Sequence, residues 1–163
     1  MTKGESVVVV VEIPKGTRNK YEMDHETGEI FLDRMLFTSM VYPADYGFID
    51  GTLGQDGDPL DALVFLSEPT FPGCRIRARP FGLFRMRDEK GMDEKILCVP
   101  LRDPVWSNLR DLDDLEPNLR NEVEHFFQAY KDLEHKDVET HGFGAREEAE
   151  RVIAEARERL AGE

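Results

Sequence analysis

Cysteine, basic charge and long apolar stretches are all scarce in this chain of 163 residues. Cys74 and Cys98 are its two cysteines. Each sits in an apolar, strand-like stretch, which reads as a buried free thiol in a reducing cytoplasm, not as a disulfide or zinc site. The four histidines, His25, His125, His135 and His141, have no spacing that makes them zinc ligands with one another or with the cysteines. They read as surface or packing residues. No apolar run approaches the roughly 20 residues that span a bilayer, so no membrane partner is expected. Met1 to Ser6 runs into a valine stretch without a small-residue cleavage site, and reads as the approach to a first strand, not a signal peptide. Basic residues number 21 against 34 acidic, for a net charge of −13. Phosphate backbones select basic faces, so nucleic acid is not an expected partner. Repeats, low-complexity segments and dividing linkers are missing too, and residues 1–163 read as one domain with a sizeable core.

What the chain does have is Asp56-Gly57-Asp58-Pro59-Leu60-Asp61, three carboxylates within six residues. Gly57 opens backbone conformations closed to other residues and Pro59 fixes one φ, so the acids can converge. Hard dications suit that cluster. Magnesium takes oxygen ligands and is commonly shared with substrate phosphates. An acidic turn on a solvated surface has the same composition and stands as the alternative. An EF-hand is excluded, because its sixth and twelfth positions need glycine and glutamate where this chain has Asp61 and Ser67.

Strand-like runs are expected at Val7–Ile13, Glu29–Leu32, Leu60–Leu66, Arg75–Phe84 and Lys95–Val99, separated by turn-forming residues. They suggest a mainly β protein with flanking helices, built on a five-stranded, OB-like barrel. After Pro117 the period changes. Leu119, Val123, Phe126, Phe127 and Tyr130 mark one amphipathic helix, and Ala149, Val152, Ile153, Ala156 and Leu160 mark a second over Ala145–Leu160, expected on the barrel exterior.

Asp88 and Asp93 bracket a second acidic loop, read as a hairpin tip. Folded over the first, it would surround one pocket with five carboxylates, a density tolerable only with two or more dications. A solvated loop is the alternative. Lys20 and Arg34 are placed to meet on one barrel face, where arginine grips phosphate oxygens bidentately and lysine supplies a compact charge. Tyr46 and Tyr130 add hydroxyl donors.

Glu12-Ile13-Pro14-Lys15-Gly16 with Lys20-Tyr21-Glu22, Tyr42-Pro43-Ala44-Asp45-Tyr46-Gly47-Phe48, the Asp56 to Asp61 turn, and Tyr130-Lys131-Asp132-Leu133-Glu134 together resemble the soluble inorganic pyrophosphatases of the single-domain OB-barrel family. Asp24-His25-Glu26-Thr27-Gly28 is similar to the actinobacterial branch. The resemblance implies a cytoplasmic, Mg²⁺-dependent homohexamer that hydrolyses pyrophosphate to two orthophosphates, with Mn²⁺ or Zn²⁺ as substitute cations. By position it implies metal ligands at Asp56, Asp61, Asp88 and Asp93, with Glu12 and Glu22 assisting a further ion and Asp61 bridging two. Substrate contacts fall on Lys20, Arg34, Tyr46, Lys95, Tyr130 and Lys131. Asp58 matches the general base, with Asp93 the competing assignment. The chain departs from the pattern at Lys90, where some actinobacterial relatives carry histidine, and after Glu134, where His135-Lys136-Asp137-Val138 and Gly142-Phe143-Gly144 replace a Gly-Lys and a tryptophan. A broader nucleotide hydrolase would need an aromatic base pocket, and a non-enzymatic OB module a basic groove with stacking aromatics.

Overall fold

The computed structural model describes residues 6–163, so the reading of the chain's first residues as something other than a signal peptide lies almost wholly outside it. The described residues form eight strands and two α-helices: β1 (Val7–Ile13), β2 (Asn19–Met23), β3 (Ile30–Met35), β4 (Asp45–Ile49), β5 (Asp61–Val64), β6 (Arg75–Asp88), β7 (Gly91–Pro100), α1 (Pro117–Ala129), β8 (Glu139–Ala145) and α2 (Arg146–Ala161). All five anticipated strands form. β2, β4 and β8 were not anticipated, because polar residues or glycines interrupt their alternation.

The strands pair in the order β1-β4-β5-β7-β6-β8, and β1 also pairs with β6. That extra pairing closes β1, β4, β5, β7 and β6 into a five-membered ring. The 14-residue β6 makes this geometry work. Its start pairs with β1, and its later part, from Gly82 to Arg87, pairs with β8. The ring is thus the expected mainly β barrel with flanking helices, but one of its members differs from expectation. The Glu29–Leu32 run belongs to β3, which pairs with β2 in a separate two-stranded hairpin, and β4 takes its place in the barrel.

Alternation sorts the side chains. Val7, Val9, Val11, Ile49, Ala62, Val64, Ile76, Ala78, Ile96 and Cys98 come from all five ring strands and share one buried cluster, which is the barrel interior. Each fully buried branched side chain there contributes about 1.5–3 kcal/mol. Ala149, Val152, Ile153 and Ala156 of α2 join this same cluster. The expectation that α2 lies on the exterior is therefore corrected: its small and branched face seals the interior. α1 covers the outside instead. It starts with Pro117 in its first turn and the Glu116 carboxylate accepting from Leu119 N, and it presses Val123, Phe126 and Phe127 onto Leu63, Phe84 and Leu97.

Cys98 is fully buried and Cys74 only partly so; both are free thiols. No described helix is long and apolar enough to cross a membrane.

Gly47 shows how closely β1 and β4 pass. A Cβ at this position would stand 1.9 Å from the Val10 carbonyl oxygen, a backbone atom that cannot swing away. Gly47→Ala is expected to lower stability by about 3 kcal/mol or more, read by urea denaturation, because the two strands must separate. An unchanged midpoint would contradict the packing described.

Candidate active site

The barrel's outer face, next to α1, carries the chemistry. Ala62 and Val64 face inward on β5, so Asp61 faces outward; Ile96 and Cys98 face inward on β7, so Asp93 and Lys95 face outward. Parallel pairing sets Asp61 opposite Lys95, and β4 brings Tyr46 to the same face.

Lys95, 2% exposed, donates to Asp93 Oδ2 at 2.8 Å, Asp61 Oδ2 at 3.0 Å and Tyr46 Oη at 2.6 Å. Tyr46 in turn donates to Asp61 Oδ2 at 2.7 Å. Burial disfavours the lysine's charge, but Asp93 and Asp61 outweigh it and hold the ammonium firmly protonated. Burial pushes Asp93 above the usual carboxylate range, with Lys95 opposing and Asp61 adding to the shift. Burial also raises the Tyr46 and Tyr130 hydroxyls, so both remain hydrogen-bond donors near neutral pH.

The acidic turn before β5 is held by its own backbone. Asp58 N donates to Asp56 Oδ1 at 3.0 Å and Gly54 N to Asp58 O at 2.6 Å. Gly57 sits at φ +90, which accounts for glycine there. Burial raises the Asp56 carboxyl. The Asp58 carboxylate is exposed at the cavity and forms no hydrogen bond or ion pair among the described residues.

Asp88 ends β6, and Glu89 and Lys90 make the tight turn into β7. Asp93 is therefore a strand residue, not part of the hairpin tip. Lys131, directly after the Tyr130 cap of α1, lies 3.5 Å from both Asp88 and Glu89.

Lys20 and Arg34 face each other across the β2–β3 hairpin, not on the barrel as expected. A bulge there makes Asp33 the extra residue, so Asp33 and Arg34 both reach the cavity. A second bulge, between Val11 and Ile13, does the same for Glu12 beside Ile13. Glu22 is exposed at the rim.

One cavity of about 350 Å³ gathers Glu12, Lys20, Glu22, Arg34, Tyr46, Asp56, Asp58, Asp61, Asp88, Asp93, Lys95, Tyr130 and Lys131. Every candidate residue read from the sequence lies along it. Asp33, Tyr42, Glu89 and Lys136 line it too and were missed. Asp33 and Glu89 adjoin candidates and Tyr42 opens the Tyr42 to Phe48 motif, so all three were within reach of the motif reading; Lys136 lies in the divergent segment after Glu134 and carried no such signal. None of the four histidines lines it.

Glu12 Oε2 accepts from Met23 N at 2.8 Å, yet burial dominates and pushes its carboxyl from 4.5 up to about 7. Between those values the folded chain holds a proton that the unfolded chain has lost. Metal-free stability is therefore expected to fall as pH rises from 4.5 to 7, by on the order of 2–3 kcal/mol. Denaturation in a chelator at several pH values checks this, and Glu12→Gln should flatten the slope. An unchanged slope in that variant would refute the assignment.

The donor set suits a hard dication. It offers carboxylate oxygens, and no cysteine or histidine among the described residues lines the cavity. Among those residues no three such groups already form a ready cage, since the Lys95 and Lys131 ammonium groups bridge the carboxylates instead.

Outside a five-stranded barrel, a carboxylate cavity ringed by lysine, arginine and tyrosine defines a class of protein built to bring cations and small anions together. The family model described as Inorganic pyrophosphatase matches residues 9–161, and the chain belongs to that family. Membership implies a divalent metal cofactor. The chain is 59% identical over 153 residues to an inorganic pyrophosphatase of Streptomyces coelicolor, covering 93% of this chain and 94% of that one. It is 53% identical over 159 residues to that of Methanosarcina mazei, covering 98% and 94%. Among solved structures, a Helicobacter pylori inorganic pyrophosphatase superposes with a TM-score of 0.95 at 42% identity, covering 99% of this chain and 97% of that one. One from Thermus thermophilus gives 0.95 at 39%, covering 99% and 95%.

Proposed function

We propose that this protein is an inorganic diphosphatase that hydrolyses pyrophosphate to two orthophosphates, with Mg²⁺ as its working cation and Mn²⁺ or Zn²⁺ as substitutes. The observation that carries this reading is the convergence of Asp56, Asp61, Asp88 and Asp93 with Lys20, Arg34, Lys95 and Lys131 in one cavity. The first four carboxylates would hold the cations, with Glu12 and Glu22 assisting a further ion. Bound magnesium supplies acidification of water and neutralisation of phosphate charge.

The chain's own side chains do the rest. Lys20, Arg34 and Lys131, with the Tyr130 hydroxyl, hold the diphosphate oxygens and offset charge that grows on them in the transition state, and Lys95 and Tyr46, whose hydrogens serve Asp61 and Asp93 in the metal-free chain, would join them where cations take over those carboxylates. Asp58 accepts a proton from the attacking water. The water oxygen bonds to one phosphorus, the bond from that phosphorus to the bridging oxygen breaks, and the bridging oxygen leaves with the electron pair in the second orthophosphate. Asp93 is the other candidate base, but its oxygen already accepts from Lys95 at 2.8 Å, whereas the Asp58 carboxylate is free of such partners.

Purified protein incubated with pyrophosphate and Mg²⁺ is expected to release orthophosphate, and far less with Mg²⁺-ATP. No release above a metal-free control from folded protein would reject the proposal. The family match over residues 9–161 supports reading residues 1–163 as one pyrophosphatase domain. The free thiols support a cytoplasmic setting. The apolar side chains Phe31, Leu32, Met35 and Phe37, all more than half exposed, support self-association, for which a homohexamer is the expected form. A solution mass of six 18.7 kDa chains checks it.

A further inference from the structure

Glu134 closes the Tyr130-Lys131-Asp132-Leu133-Glu134 motif but neither holds a cation nor touches the diphosphate in the proposed reaction. It ends a 3-10 turn, Asp132–Glu134, that follows α1. Glu134 N donates to Lys131 O at 3.0 Å and Lys136 N returns to the same oxygen at 3.4 Å. Between them His135 adopts φ 59, the one left-handed non-glycine residue among those described. The turn wraps around the Lys131 carbonyl and brings Glu134 to β3.

There the Arg34 Nη2 lies 2.9 Å from Glu134 Oε1 and 3.1 Å from Oε2, and the glutamate side chain is 6% exposed. Asp33 takes Nη1. Arg34 Nε is buried and has no acceptor among the described residues. Two carboxylates from distant parts of the chain thus grip the outer nitrogens of one guanidinium and leave its inner donor spare.

We infer that Glu134 is a positioning residue, fixing the direction of the Arg34 guanidinium so that the Nη1 hydrogen left over from the Asp33 contact stays turned to a diphosphate oxygen in the cavity that Arg34 lines. The inference rests on the proposed role of Arg34 as an anion contact. A carboxylate this near also offsets part of the arginine's attraction for an anion. What Glu134 contributes is therefore direction, not charge, and arginine's planar fork is where direction matters. The two effects predict opposite shifts in KM.

Hydrolysis of Mg²⁺-pyrophosphate is measured for wild type, Glu134→Ala, Arg34→Ala and the double variant, with the isosteric Glu134→Gln as a second variant should the alanine protein fail to fold. Loss of the carboxylate is expected to raise KM about tenfold with kcat within about threefold. On the Arg34→Ala background it should add nothing. A fall in KM, or an equal loss in both backgrounds, would overturn the inference. Nuclear magnetic resonance of ¹⁵N-labelled arginine supplies a readout that needs no turnover. The Arg34 Nε–H signal should be rigid in wild type and mobile in the Glu134 variant; equal mobility in both would sink the idea. If the wild type releases no orthophosphate, the activity reading fails while the resonance measurement still decides the role of Glu134.

Discussion

Asp58→Asn is expected to lower kcat by about 10²- to 10⁴-fold, the range lost with a positioned general base, while leaving Mg²⁺ affinity within about threefold. The asparagine keeps the shape of the acidic turn, whose hydrogen bonds use the Asp58 backbone, not its side chain. Asp61→Asn should behave differently. Its carboxylate accepts from Tyr46 and Lys95 and is a proposed cation ligand, so metal affinity should fall together with turnover. Calorimetric titration of Mg²⁺ beside steady-state kinetics separates the two. Equal metal affinity in both variants would mean that the roles have been assigned wrongly.

Replacing Lys95 with methionine should produce the largest change in stability. The ammonium stands between Asp61 and Asp93, and its removal leaves two crowded carboxylates without a counter-charge. Breaking a buried ion pair by deleting one partner costs about 3–5 kcal/mol. Urea denaturation in a chelator should register a loss of that order. Saturating Mg²⁺ should then stabilise the variant by more than it stabilises wild type, because the dications replace the missing positive charge. A midpoint unaffected by the substitution in metal-free buffer would show that Lys95 does not hold the two acids together.

Much of the fold was readable in advance, and the exceptions share a cause. β1 and β6 announce themselves through valine runs and long alternation. β4 hides because Gly47 interrupts it, although the close approach of the Val10 carbonyl explains why no other residue would serve. β2 and β8 hide because their residues are polar or glycine and gain order from pairing. The face of α2 was readable as apolar, but its destination was not: small alanines fit the sealed barrel interior, a fact of shape that periodicity does not contain. Cys74 proved only partly buried because it precedes β6 instead of lying within it.

For the candidate site, local composition already held the kinds of groups: clustered acids in an Asp-Gly-Asp-Pro turn, a second acidic pair, and lysines, arginines and tyrosines in recognisable motifs. Their spacing along the chain, together with the family resemblance, was enough to nominate them. Their mutual arrangement came from pairing between distant strands. Asp61 meets Lys95 because β5 and β7 lie parallel in one particular register, and Asp33 joins Arg34 because a single bulged residue reverses the direction of a side chain. A shift of one residue in a strand moves each group to the opposite face. Such registers are set by packing across the whole barrel, which no short stretch of residues encodes alone.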